Sequence, residues 1–400
     1  MGETPQSVAR PRLDSVDMLR GLVMVLMALD HTRDFFGDMT IPAIDPEQSY
    51  PALYFTRWIS HYCAPTFVFL TGVGTYLYGS RGRTTREVSW YLLSRGLWII
   101  AVEALILSPM WQGERLLVKD RLLDQFNYQI FGQVFWAIGA SMVALSLLVW
   151  LPRPVILVFA LLVILCHNMF DIFRPGDFGD WAEVWHVLHV PGQVHLTSRV
   201  VLHSAYPLIP WIGVLAAGYC FGPVLLMQKA ERRTWILGLG SLMTVGFFVL
   251  RATNVYGDLH AWTLQKDQTH TVLSFLNCHK YPPSLCYLLM TLGPALLLLS
   301  AFEANWGPVG KVLIVFGRVP MFYYLLHLPL ILGLSMITAR VGVAYGYYPS
   351  LESLRRPEHL GFDLPQVYAT WAIVLTILFI PCWWYSGVKR RSKSVWLTYL

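Results

Sequence analysis

Residues 16–37 read VDMLRGLVMVLMALDHTRDFFG, an apolar run of spanning length that nevertheless holds Arg20, Asp30 and His31. A helix that crosses a bilayer needs about 20 mostly apolar residues, and this run meets that length with its charges gathered toward its two ends. It lacks a short apolar core ending in a small-residue cleavage site, so it reads as an uncleaved span rather than a removable signal. The remainder of the chain fits a lipid setting. Of 400 residues 55% are hydrophobic and only 14% charged, against about a quarter charged in soluble domains. Mean hydropathy is +0.49. An ordinary soluble enzyme is excluded.

Scanning outward for similar runs gives ten spans, near 16–37, 53–79, 90–110, 128–150, 154–172, 204–226, 233–253, 281–301, 313–339 and 368–387. The fold class expected is therefore all-α, a polytopic membrane protein of about ten transmembrane helices. Residues 1–15 form a cytoplasmic N-terminal segment, 16–387 a single transmembrane domain, and 388–400 a basic cytoplasmic tail. No internal repeat or soluble domain interrupts the pattern.

Orientation follows from Lys and Arg, which short cytoplasmic loops retain. Arg10 and Arg12 precede the first span, Arg81, Arg83 and Arg86 follow the second, Lys229, Arg232 and Arg233 follow the sixth, and Lys389, Arg390, Arg391 and Lys393 follow the last. With ten alternating spans every cluster falls on one side, so both termini are expected in the cytoplasm and the protein in the cell inner (plasma) membrane. The net charge of +6 is then largely a topology signal, and no nucleic-acid partner is needed to explain it. Membrane lipid is the expected surrounding, and a homo-oligomer is compatible with the sequence. Of six cysteines, Cys63, Cys166, Cys220, Cys286 and Cys382 fall within spans and Cys278 in an outer loop, which gives no disulfide framework.

The twelve histidines fall in outer loops, in the outer halves of spans or, for His327, near mid-membrane. Imidazole transfers protons near neutral pH and binds metals, although outer loops here are also simply longer. His186 and His189, with His195 and His203 beyond, lack a recognised zinc spacing and a cysteine partner, and no metal site is expected.

Along the first span, Arg20 and His31 are eleven residues apart, about three turns and about 16 Å, so both project from nearly one face at different depths. Arg20 could hold a phosphate or carboxylate at the inner mouth, with Asp17 beside it, or snorkel to headgroups. His31 could act as base or nucleophile, or hydrogen-bond within the bundle. Asp34, three residues on, could orient the imidazole, and Asp30 faces another neighbour. Arg57 and His61, at i and i+4 near the outer end of the second span, plausibly face the same space. Glu103 could be a counter-ion to Arg95 or Arg20. Lys280 could meet an anionic acceptor or end its span at the interface, and His327 could line an acyl path or merely pack.

Four patches then resemble a known group. Arg12-Leu13-Asp14-Ser15-Val16-Asp17-Met18-Leu19-Arg20-Gly21 is similar to the start of the heparan-alpha-glucosaminide N-acetyltransferase catalytic domain, and Cys63-Ala64-Pro65-Thr66-Phe67-Val68-Phe69-Leu70-Thr71-Gly72 to its second span. Tyr281-Pro282-Pro283-Ser284-Leu285 and the stretch from Gly317 to His327 resemble bacterial members of that group. The Arg20-Gly21 to His31 spacing is also similar to the first helix of the acyltransferase-three family.

The resemblance implies a transmembrane acyltransferase that takes an acyl group, acetyl in the first instance, from cytoplasmic acyl-CoA. It would deliver the group to an amine or hydroxyl of a sugar or envelope glycan on the far side. The glucosaminide transferases place their reacting histidine in the loop after the first span. Here no histidine occurs between His31 and His61, so the acyltransferase-three pattern assigns the role to His31, with His61 as substitute.

An acyl thioester is already activated, and the enzyme chiefly needs a base, cations for the CoA phosphates and donors for the oxyanion. His31 would be base or transient acyl acceptor, with Asp30 or Asp34 as partner. Arg20, Asp17, Arg95 and Arg318 would form the acyl-CoA contact, and Arg57, Lys280 and His327 the substrate contacts. A proton-coupled transporter of a small solute is the alternative, since intramembrane Arg, Glu and His also mark solute pathways. No matching pair of broken helices in two halves favours it.

Overall fold

The computed structural model describes residues 13–111, 128–345 and 361–392; most of the expected N-terminal segment and of the basic tail, including Arg10, Arg12 and Lys393, lies outside them. Among the described residues the fold is all-α apart from one small sheet. Helices α1 (Asp14–Phe36), α2 (Pro51–Trp58), α3 (Cys63–Gly79), α4 (Thr85–Val102) and α5 (Val134–Leu148) are followed by α6 (Arg153–Cys166), α7 (Ala182–Leu188) and α8 (Leu208–Phe221). Then come α9 (Lys229–Thr253), α10 (Gln268–Leu276), α11 (Leu285–Ala301), α12 (Gly307–Arg318), α13 (Pro320–Ala344) and α14 (Leu364–Arg391).

Six helical stretches among the described residues are long and apolar enough to cross a membrane: Thr85–Trp111, Arg153–Ile172, Leu208–Leu226, Lys229–Thr253, Pro320–Ala344 and Leu364–Arg391. Val134–Leu148 and Leu285–Ala301 are apolar but shorter. The expected count of about ten is thus not reached on length and hydropathy, and two reasons can be named. The charges of α1 (Asp14, Asp17, Arg20, Asp30, Arg33 and Asp34) dilute its apolar character, and the run at 53–79 is broken into α2, a 3-10 turn (Ile59–Tyr62) and α3.

The charged α1 is kept from lipid by its neighbours: it packs against α3, α12, α13 and α14. By contrast α6 and α9 turn large apolar side chains outward, among them Leu157, Val158, Leu162, Leu242, Val245 and Phe248. A hydrocarbon surrounding tolerates such faces because the helices satisfy their own backbone groups.

The close pairs cross at glycines. A Cβ on Gly21 of α1 would lie 1.9 Å from the Leu313 carbonyl oxygen of α12, and one on Gly317 of α12 would lie 1.8 Å from the Asp17 carbonyl oxygen of α1. Gly72 of α3 and Gly218 of α8 are matched in the same way, 2.0 Å from Leu215 O and 2.1 Å from Phe69 O. Small residues let two backbones approach where side chains would hold them apart, which accounts for glycine directly after Arg20 and directly before Arg318.

Residues 128–132, expected to open a helix, form instead strand β1 (Tyr128–Gly132). It pairs in parallel with β3 (Val200–Ser204), which pairs antiparallel with β2 (Gly192–Thr197). A short apolar run does not reveal by itself whether it is strand or helix. The sheet has a positional use: β1 leads into Gln133 and Val134, and β3 into Ala205 and Tyr206.

Candidate active site

Two neighbouring cavities along α1 carry most of the residues singled out from the sequence. The first, of about 300 Å³, is lined by Arg20, Arg95, Arg318 and Lys389 among apolar residues that include Met24, Leu70, Ile138 and Met142. The second, of about 250 Å³, is lined by Asp30, His31, Asp34, Arg57, Ser60, Trp111, Tyr206, Lys280 and Tyr281. Phe67, Val134 and Tyr324 line both, so these three side chains form the partition. Phe135 stacks on Tyr324 with ring centroids 3.9 Å apart. The Glu103 carboxylate is buried near the first turn of α5, with neither oxygen in a hydrogen bond among the described residues. Among the described residues Glu103 forms no ion pair with Arg20 or Arg95, the counter-ion role its depth led one to expect.

The basic cavity is assembled by the α1–α12 crossing. Arg20 donates from Nη1 to Asp17 Oδ1 and to the Gly317 carbonyl, each at 3.1 Å. Arg318 reaches back to Asp14 Oδ1 at 3.2 Å and Asp17 Oδ2 at 3.6 Å. Asp17, buried between the two arginines, holds them in place and does not itself line the cavity. Arg95 lies over the Tyr91 ring, 4.8 Å from its centroid, and donates to the Tyr91 hydroxyl. The three arginines proposed from the sequence thus meet in one space. Lys389, read only as part of the basic tail, joins them.

In the second cavity His31 is flanked by Trp111 and His327, with ring centroids at 5.4 and 5.2 Å. His31 Nδ1 and Trp111 Nε1 are both buried without a hydrogen-bond partner among the described residues, leaving one nitrogen of a base and one N–H donor uncommitted beside the cavity. The expected orientation of His31 by Asp34 is not made. Asp34 pairs with Arg33, and Asp30 accepts from Arg57 Nη1 at 2.7 Å and from Arg33 at 3.4 Å. Arg33, one residue from Asp34 and three from Asp30, takes the carboxylates that the imidazole was expected to use.

His327 is fully buried and its Nδ1 lies 2.7 Å from the Tyr324 carbonyl oxygen. A carbonyl only accepts, so Nδ1 carries the proton and Nε2 keeps its lone pair. His61 is not among the lining residues. The 3-10 turn between α2 and α3 breaks the i, i+4 phase that would have set it beside Arg57. Its ring instead packs on Tyr287, 5.5 Å between centroids, in the core.

Lys280 and Tyr281 come from the turn after α10, which is held from several sides. His167 Nε2 lies 2.8 Å from the Pro283 carbonyl oxygen, His279 Nε2 donates to the Tyr281 carbonyl at 2.8 Å, and Ser284 Oγ to Asp258 Oδ2 at 2.7 Å. Asn168 Oδ1 accepts from the Leu285 N–H. Burial pushes the His279 imidazole below its ordinary pKa, which suits its role as a neutral donor to a carbonyl.

The histidines weighed as metal ligands are dispersed. His189 pairs with Asp171 and His195 with Glu183, each at 2.8 Å, while His203 stacks on Phe131. Among the described residues no group of three or more His, Cys, Asp or Glu is placed to hold a metal ion.

Comparison with the curated proteins returns no match. A model of the family described as heparan-alpha-glucosaminide N-acetyltransferase, catalytic, matches residues 12–253. The matched part contains α1 with Arg20 and His31, the Phe67 and Val134 of the partition, and Arg57, Arg95 and Trp111. The match covers more than half of the chain, and the protein belongs to the heparan-alpha-glucosaminide N-acetyltransferase catalytic family, a family of membrane acetyltransferases.

Proposed function

We propose that the protein moves an acetyl group from acetyl-CoA to an amine or hydroxyl of a sugar or envelope glycan, with the donor entering at the basic cavity and the acceptor at the His31 cavity. One observation carries this reading: a cavity with four cationic side chains and a cavity with a histidine share Phe67, Val134 and Tyr324 as a common wall. Arg20, Arg95, Arg318 and Lys389 match a polyanionic donor, because guanidinium and ammonium groups bind phosphate oxygens by charge-assisted hydrogen bonds. The apolar remainder of that cavity suits the long neutral arm that carries the thioester. The wall is where the thioester would pass to reach His31.

In the second cavity His31 takes the proton of the attacking amine or hydroxyl as the new C–N or C–O bond forms. It returns that proton to the departing thiolate when the C–S bond breaks. His327 Nε2, with its free lone pair, stands next to His31 as a further proton acceptor. With the basic end in the cytoplasm of a cell whose inner membrane holds the protein, the acceptor lies on the outer side. Turnover of labelled acetyl-CoA by the purified protein with an amino sugar as acceptor tests the reading. His31→Ala is expected to lose about 10²–10⁴-fold in kcat, and full activity of that variant would overturn it.

A further inference from the structure

The acyl transfer proposed above needs a donor for the oxygen that gains negative charge in the tetrahedral intermediate, and the Arg57 guanidinium of the His31 cavity is already paired with Asp30. Arg57 Nη1 is shared between Asp30 Oδ2 and Ser60 Oγ, both at 2.7 Å. Other lining residues are arranged differently. Lys280 Nζ lies 5.0 Å from the Tyr281 ring centroid and 6.0 Å from that of Tyr206, and the two rings meet edge to face at 5.1 Å. Lys280, Tyr206 and Tyr281 all line the same cavity as His31. An ammonium has no acceptor to offer, and a phenol oxygen has two lone pairs and one proton. Beside an ammonium, which only donates, the Tyr281 oxygen is the acceptor of the pair and its O–H is left to donate to a group in the cavity.

We propose that Tyr281, polarised by Lys280 and Tyr206, is a catalytic residue of the acyl transfer: its O–H donates to the thioester carbonyl oxygen as that oxygen becomes an anion. This rests on the acetyltransferase reading. In the first step the acceptor nitrogen or oxygen bonds to the carbonyl carbon, its proton passes to His31, and the carbonyl π pair moves onto the oxygen held by Tyr281. In the second that pair re-forms C=O, the C–S bond breaks, and the thiolate takes the proton from His31. Tyr281 keeps its own proton throughout, so the step balances without another reactant. Lys280 and Tyr206 act as positioning residues that strengthen the hydrogen bond Tyr281 gives.

The turn that presents the pair is built for rigidity, tied by His167, His279, Asp258 and Asn168. A donor aimed at a developing charge is effective when it need not reorganise. Lys280 and Tyr281 lie beyond the residues matched by the family model.

The experiment compares wild type, Tyr281→Phe and Lys280→Met for kcat, KM for acetyl-CoA and the pH profile. Tyr281→Phe is expected to lower kcat about 10²–10³-fold, as loss of one oxyanion donor does, with KM within twofold. Wild type should lose activity at alkaline pH with a midpoint below about 10, the ordinary tyrosine value, because a phenolate cannot donate. Lys280→Met should move that limb upward and reduce kcat less. Should Tyr281→Phe fail to accumulate, the Lys280→Met limb decides. An active wild type with Tyr281→Phe within twofold of it, or an alkaline limb unmoved by Lys280→Met, overturns this proposal alone. A wild type that does not turn over acetyl-CoA overturns the acetyltransferase reading and this proposal together.

Discussion

His31 and His327 lie against one another with ring centroids 5.2 Å apart, and the Nδ1–H of His327 is committed to the Tyr324 carbonyl, leaving its Nε2 uncommitted beside His31. Two helices far apart in the chain, α1 and α13, thus bring two imidazoles to one place. If His327 stabilises the imidazolium that forms on His31, His327→Phe should lower kcat about 10- to 100-fold while leaving the KM for acetyl-CoA unchanged, since it removes an interaction made only as charge develops. Steady-state kinetics at saturating acceptor check this. A rise in KM with kcat intact would make His327 a packing residue.

Asp34 separates two accounts of the site. Were it the carboxylate that orients His31, its amide variant would lose about 10⁴-fold in kcat, as loss of an orienting carboxylate does in a catalytic triad. Paired with Arg33 instead, Asp34→Asn should keep activity within about threefold. Asp30→Asn is expected to behave differently. It leaves Arg57 and Arg33 without the carboxylate they share and should cost about 3 kcal/mol of stability, the penalty for breaking a buried pair. Thermal unfolding in detergent alongside kinetics reads both.

The crossing of α1 and α12 should tolerate no side chain. A Cβ on Gly21 or Gly317 would meet backbone at 1.9 or 1.8 Å, and backbone, unlike a flexible side chain, cannot swing aside. Gly21→Ala and Gly317→Ala should each cost about 2–3 kcal/mol and, by displacing Arg20 and Arg318, also raise the KM for acetyl-CoA. Gly74→Ala, where a Cβ meets nothing within 4 Å, is the control and should leave unfolding unchanged.

The basic cavity predicts a selective loss. Arg95→Gln removes one cation while keeping length, and a charge-assisted hydrogen bond is worth about 1.5–3 kcal/mol, so the KM for acetyl-CoA should rise about tenfold or more with kcat nearly constant. The same substitution should matter far less for a neutral acetyl thioester lacking the nucleotide. Equal losses with both donors would mean that Arg95 supports the fold rather than the phosphates.

How much of this was legible in the sequence differs residue by residue. Arg20, Arg95 and Arg318 stood out because charge within apolar runs is costly and seldom idle, and they meet in one cavity. His31, Arg57 and Lys280 stood out for the same reason and meet in the other. His61 misled because helical phase was carried through Ile59–Tyr62, where a 3-10 turn shifts it. Asp34 misled because its spacing from His31 was weighed and its adjacency to Arg33 was not. Lys389 was hidden in a basic cluster whose density is explained by topology alone. Tyr206 carried no signal and Tyr281 stood out only within a patch of family resemblance, since phenols in apolar segments are common and only the turn after α10 brings them to Lys280. Strand β1 was absorbed into an apolar run because five residues fix no period.

The central claim is that acyl transfer crosses the partition of Phe67, Val134 and Tyr324 between a donor cavity and the His31 cavity. The most direct test seals the protein into vesicles with a membrane-impermeant amino sugar trapped inside and labelled acetyl-CoA outside only. The account predicts acetylated sugar in the lumen with wild type and none with His31→Ala. Label confined to sugar added on the same side as acetyl-CoA, with none in the lumen, would contradict it.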